Sequence, residues 1–182
     1  MNRIAIVLLI AMSLLFAAPR QALAQSDASV TRSPATAPTL GTTIRGTSAT
    51  TFSISTAGAV TRTSGDAIRL TSGSVTTPTL SINCGLLNLS GLCALRYIRV
   101  TITPVTGSGP ATISRLRVGG LSGATYRAGS APTEAASLTF DLNPIGLLST
   151  ATLKLGMDVV LSANAASGVY SFDYIVTVQL VS

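Results

Sequence analysis

The stretch Thr152-Leu153-Lys154-Leu155-Gly156-Met157-Asp158-Val159-Val160-Leu161 decides the fold. Leu153, Leu155, Met157, Val159 and Leu161 occupy five alternate positions, with Thr152, Lys154 and Asp158 between them. A period of two is the signature of a strand with one buried face. After a turn over residues 163–168 the same period returns. Tyr170, Phe172, Tyr174, Val176, Val178 and Leu180 alternate with the polar Ser171, Asp173, Thr177 and Gln179. The two runs are long enough to predict a hairpin with one buried face.

The pattern extends toward the N-terminus. Ile98, Val100 and Ile102 share a face, with Arg99, Thr101 and Thr103 opposite, and Pro104 stops the run. Leu138, Phe140 and Leu142 alternate with Ser137, Thr139 and Asp141, and Leu80, Ile82 and Cys84 share a face. Shorter strands are expected at 52–55, 68–71, 113–118 and 124–127. Gly58, Gly65-Asp66, Gly73, Gly107, Gly109-Pro110, Gly119-Gly120, Pro132 and Pro144 punctuate the chain between them. Eight to ten short strands at this spacing predict an all-β chain, an immunoglobulin-like antiparallel β-sandwich over residues 41–182. Helix signals are nearly absent, because Gly, Ser and Thr are poor helix formers and one Glu and one Lys are available for helical faces.

The first 24 residues read as a signal peptide. Arg3 supplies the positive end, an apolar stretch runs over 4–18, and Ala22-Leu23-Ala24 is the small-x-small step before cleavage between Ala24 and Gln25. The stretch is shorter than the ~20 residues of a membrane span, so no integral membrane segment is expected in the mature chain. Cleavage would leave 158 residues with ten basic and six acidic side chains, a net charge of +4 against +6 for the whole chain. The basic residues are scattered, and nucleic acid is not an expected partner. Residues 25–40 are rich in Ser, Thr, Ala and Pro and read as a flexible N-terminal extension. Cys84 and Cys93 are the only two cysteines. In an exported chain such a pair predicts a structural disulfide, closing a hairpin.

The composition removes several function classes. There is no His and no Trp, so no Ser-His-Asp triad and no imidazole metal ligand can form. Charged residues are 10% and aromatics 4% of the chain, while 25 Thr and 22 Ser suit the polar faces and turns of a sandwich. Gly107-Ser108-Gly109 is followed by Pro110 and reads as a turn, not as a phosphate loop. No G-x-S-x-G elbow occurs. Asp141, Asp158 and Asp173 would have to converge to act as a glycosidase pair or a Ca²⁺ site, and single solvated positions are the simpler reading. Asn88-Leu89-Ser90 matches a glycosylation sequon. Neither a catalytic residue nor a cofactor nor a metal is expected.

Leu155-Gly156-Met157-Asp158-Val159, then Ala166-Ser167-Gly168-Val169-Tyr170-Ser171-Phe172, then Val176-Thr177-Val178 resemble the closing signature of a bacterial family, the domain of unknown function family forty-four-oh-two. That signature runs l-x-V-G-g-x-L … G-x-Y-x-G-x-f-x-V-T-V. Here Gly156-Met157-Asp158 is a loose version of its first glycine step, and Ser171 stands where its second glycine does. The segment 55–67, with Gly58, Val60 and Gly65, is similar to its opening strands. The resemblance implies a secreted all-β surface protein of pilin-like character.

The resulting expectation is an exported, non-catalytic structural or adhesive cell-surface protein, a fimbria-like subunit. It would pair strands through Tyr170, Phe172, Tyr174, Val176, Val178 and Leu180, with self-assembly or a periplasmic chaperone as its partnership. The alternative is a monomeric secreted module that binds glycan or protein through the loops 107–109 and 119–129. An eight-stranded outer-membrane barrel ranks below both, since seven aromatics in the mature chain make no girdles and the chain ends on Ser182.

Overall fold

The strand read from residues 152–161 is the centre of the molecule. The structure, a computed structural model, describes residues 28–84, 92–107, 109–146 and 149–182. The expected signal peptide 1–24, its cleavage step at Ala24 and Gln25, and the sequon at 88–90 lie outside the described residues.

Twelve strands follow in chain order: β1 (Ser29–Ser33), β2 (Thr39–Ile44), β3 (Thr50–Ile54), β4 (Val60–Ser64), β5 (Ile68–Arg69), β6 (Thr79–Asn83), β7 (Tyr97–Pro104), β8 (Ala111–Ser122), β9 (Leu138–Leu142), β10 (Thr150–Leu161), β11 (Gly168–Ser171) and β12 (Tyr174–Val181). One helical turn, α1 (Leu92–Leu95), precedes β7. Every strand pair is antiparallel. The molecule is an all-β antiparallel sandwich of immunoglobulin-like type.

β10 pairs with β8 along one edge, from Thr152 to Leu161. Its other edge takes β6 over Thr150–Lys154 and then β3 over Met157–Leu161. β1 flanks β6 and β4 flanks β3, which completes six strands. Two three-stranded sheets, β11-β2-β5 and β12-β7-β9, supply the other inward faces. Leu153, Leu155, Met157 and Val159 of β10 join Leu80, Ile98, Val100, Ile102, Leu116, Phe140, Leu142 and Phe172 in a single core.

Glycine interrupts the alternation of β10 for a packing reason. A Cβ on Gly156 would lie 2.8 Å from the Ile54 carbonyl oxygen, 2.9 Å from the Thr56 nitrogen and 2.8 Å from Arg117 Cγ. Only a residue without a side chain lets β3 and the Arg117 stem close over β10 at that point.

Four expectations are corrected. The strand count is twelve, not eight to ten, because the short strands β1, β2 and β4 carry little apolar alternation, while the strand expected at 124–127 is reduced to a single bridge at Tyr126. The runs 153–161 and 170–180 form no hairpin: β10 belongs to the six-stranded sheet, β11 pairs with β2, and β12 pairs with β7. The second run is two strands, since the chain leaves one sheet at Phe172-Asp173 and enters another. From Ala28 onward the expected flexible extension 25–40 is built into the fold. β1 lies along β6 from Ser29↔Asn83 to Ser33↔Thr79, and Thr39 already begins β2. Last, Cys84 and Cys93 are disulfide-bonded as expected, but the bond closes no hairpin. β6 and β7 belong to different sheets, so the bond ties the crossover between them.

Candidate functional site

The outward face of the β12-β7-β9 sheet carries an ordered polar row. Alternation turns Ile98, Val100 and Ile102 into the core, so Tyr97, Arg99 and Thr101 face outward. The register sets Arg99 opposite Asp141 of β9 and Gln179 of β12, and Thr101 opposite Thr139 and Thr177. Beyond β9 a short extended segment continues the sheet. Tyr126 bridges Leu142, the Arg127 N–H donates to the Asp141 carbonyl at 2.9 Å, and the Asn143 N–H donates to the Thr125 carbonyl at 2.9 Å. Arg127 thereby lands beside Asp141, and the row reads Gln179, Arg99, Asp141, Arg127.

Both guanidiniums meet the one carboxylate. Arg99 donates twice, Nε to Oδ1 at 2.8 Å and Nη2 to Oδ2 at 3.1 Å. Arg127 Nη1 donates to Oδ2 at 3.4 Å. The hydrogen bonds from Arg99 hold the Asp141 carboxyl below its usual range; burial opposes this and Arg127 adds to it. The same pairing raises Arg99. The Arg127 guanidinium lies over the Tyr97 ring, 3.8 Å from its centroid, which fixes its plane. In the neighbouring row the Thr101 and Thr139 hydroxyls are 3.3 Å apart.

A cavity of about 630 Å³ adjoins this row. Arg99, Thr139 and Asp141 line it from the sheet, and Ser130, Ala131 and Pro132 from the adjoining loop. Tyr126 packs edge-on against Phe140, with ring centroids 5.7 Å apart. Its hydroxyl is buried without a hydrogen-bond partner among the described residues, and burial raises its pKa.

A second feature is the seam between β1 and β12. β12 pairs with β7 on one side and has no strand on its other edge among the described residues. Val176, Val178 and Leu180 lie half-buried on its inward face, while Ile175 points out. β1 runs nearby, held by an ion pair between Arg32 and Asp173 and by Arg32 over the Tyr174 ring, 5.4 Å from its centroid. A cleft of about 220 Å³ lies between them, lined in part by Val30, Leu80, Tyr174 and Val176.

The stripe expected for strand pairing thus divides. Phe172 and Tyr174 are buried in the core. Tyr170 is half-buried, and its hydroxyl donates to the Ala166 carbonyl. Val176, Val178 and Leu180 are partly buried along β12.

Asp141, Asp158 and Asp173 do not converge. Each has its own arginine partner: Arg99 and Arg127, Arg117 and Arg115, and Arg32 respectively. Among the described residues no group of three His, Cys, Asp or Glu could hold a metal ion. Gly107 and Gly109 have positive φ and belong to the β7–β8 turn.

Sequence reasoning placed Arg99 on an outward face and missed its site. It named the loop 119–129, which holds Arg127, as a binding loop without singling out that residue, and it gave Tyr97 no role. The three come together through strand register, and no spacing motif announces that. No protein-family model, curated protein or solved structure matches the chain.

Proposed function

We propose that the chain is an exported, non-catalytic structural or adhesive surface protein, a fimbria-like subunit in which a second copy adds along the open edge of β12. The observation that carries this reading is that edge itself. Every second residue of Tyr174–Val181 turns its N–H and C=O away from β7, toward no other strand among the described residues. The half-buried Val176, Val178 and Leu180 beside it offer alternate side-chain contacts to an incoming strand. The signal-like segment 1–24, the disulfide and the resemblance of the closing strands support the same reading.

The test is expression of the chain with its N-terminal segment intact, followed by recovery of the surface fraction. A ladder of heat-labile oligomers on a gel is expected, and Val178→Lys should abolish it while leaving a folded monomer. A strictly monomeric wild-type protein ends the subunit reading.

A second reading is favoured by the arginine row and its cavity: a monomeric secreted module that binds glycan or protein. Ligand binding retained by the Val178→Lys monomer separates the two.

A further inference from the structure

We infer that the Arg99–Asp141–Arg127 row and the adjoining cavity bind a carboxylate-bearing saccharide, a uronic or sialic acid unit of a glycan. The inference deepens the second reading above and does not depend on assembly along β12.

The first argument is charge. Two guanidiniums face one carboxylate, so the row has a net charge of +1 and is partly exposed, with 44% of each arginine side chain open to solvent. A single positive excess suits a monoanion. A phosphate dianion would meet Asp141 at close range, and a polyanion would find no further cation in the row.

The second argument is geometry. Arg99 spends Nε and Nη2 on Asp141, but Arg127 reaches it with Nη1 alone. Arg127 Nε and Nη2 have no acceptor among the described residues. Tyr97 holds the guanidinium plane, so little rotamer freedom remains to be lost when a ligand arrives. A planar fork of N–H groups is the partner that a carboxylate fits with two hydrogen bonds.

The third argument is the rest of the lining. Asp141 is an acceptor with lone pairs beyond those its arginines use, and sugar hydroxyls are donors. Thr139 and Ser130 add hydroxyls that donate or accept, while Ala131 and Pro132 give the C–H face of a pyranose ring an apolar wall. A free amino acid or peptide carboxylate would use the arginine and leave those hydroxyls unmatched. The volume falls within the range of small-ligand sites.

The test is titration of the disulfide-bonded mature chain, followed by calorimetry or NMR. The probes are galacturonic acid, sialyllactose, lactose and sodium sulfate. One of the two acidic saccharides should bind with a dissociation constant of about 1 mM or tighter. Which one binds identifies the source of the carboxylate. Lactose should bind about tenfold more weakly or not at all. Arg127→Gln should weaken the acidic saccharide about tenfold or more, the loss of one charge-assisted contact, with an unchanged melting temperature. Arg115→Gln, on the other sheet, should bind as wild type does.

The inference is overturned if neither acidic saccharide binds at about 10 mM. It is equally overturned if lactose binds as well as the acidic saccharide that binds, if sulfate competes on equal terms, or if Arg127→Gln binds unchanged. Size-exclusion of the same samples reports assembly separately, so failure of the subunit reading cannot be mistaken for failure of this one.

Discussion

Reducing the Cys84–Cys93 bond should destabilise the fold by about 2.6 kcal/mol. The two cysteines are 9 residues apart in sequence. In the chain-entropy description, releasing a loop of that length returns about 9 cal/mol/K to the unfolded chain, which is about 2.6 kcal/mol at 25 °C. A domain of this size loses about 2–4 °C of melting temperature per kcal/mol, so reduction should lower it by about 5–10 °C. Both cysteines are buried, at 1% and 0% exposure, and pack in the common core. The native contacts therefore persist on reduction, and the effect falls on the unfolded state. Circular dichroism melts of the chain over residues 25–182, with and without a phosphine reductant, measure the shift, and mass spectrometry confirms the redox state. A Cys84→Ala, Cys93→Ala chain should melt lower still, because it also loses two buried sulfurs. The reasoning fails if the oxidised and reduced proteins melt within about 2 °C of each other, or if the double alanine chain matches the oxidised one.

Three further outcomes follow from the packing and the charges. Gly156→Ala places a methyl group within 3 Å of the Ile54 carbonyl and the Thr56 nitrogen, and should cost about 1–3 kcal/mol in urea unfolding with an unchanged slope. Asp66 accepts hydrogen bonds from the hydroxyls and N–H groups of Thr47 and Ser48, which hold its carboxyl well below the usual range, and Asp141 and Asp173 are lowered too. The unfolded chain thus takes up protons first as pH falls. The stability these groups give is present above about pH 4 and is lost progressively below it. Melts from pH 6 to pH 2 should show that decline, and Asp66→Asn should flatten it. Tyr126→Phe removes a buried hydroxyl that has no partner among the described residues, so its melting temperature should equal or slightly exceed that of the wild type.

The class of fold was legible because period-two alternation reports burial whichever strand lies alongside. Leu153 to Leu161 could be read as half-buried from the sequence, and they are buried. Pairing was not legible, for the same reason. Alternation is identical in a hairpin and in a strand joined to partners far away in the chain, and β10 takes β3, β6 and β8 as neighbours. Phe172 keeps the phase of Tyr170 and Tyr174, so the passage from one sheet to another leaves no mark in the pattern. β1 was missed because Ser29-Val30-Thr31-Arg32-Ser33 at a sheet edge buries no side chain fully, and burial is what alternation records. The arginine row was beyond reach on similar grounds. Arg99, Arg127 and Asp141 stand far apart in sequence, and only the register of β7 on β9, together with the bridge at Tyr126, brings them together.

Two charge clusters on this molecule differ in a way that separates support from recognition. On the six-stranded sheet, Arg115 and Arg117 face Glu134 and Asp158, two cations against two anions. Arg117 and Asp158 are 17% and 15% exposed, and Arg117 also donates to Ser53 Oγ and the Ile54 carbonyl. That group is balanced in charge, with Arg115 and Glu134 on its open rim at 57% and 45% exposure, and it joins β8, β10 and β3 to the segment that bridges Leu116 at Ala135. Its geometry is what holding strands together requires. The row on the other face has two cations on one anion. Exposed ion pairs contribute about 0–1 kcal/mol, and the adjacent Thr177–Thr101–Thr139 row fills equivalent positions without any charge. A second arginine on the same carboxylate adds a positive excess that folding does not need. Stacking that arginine on Tyr97, beside a cavity, gives the excess a fixed direction. Strand-to-strand support describes the first cluster, whereas the positive excess of the second is the feature on which the proposed acidic saccharide would act.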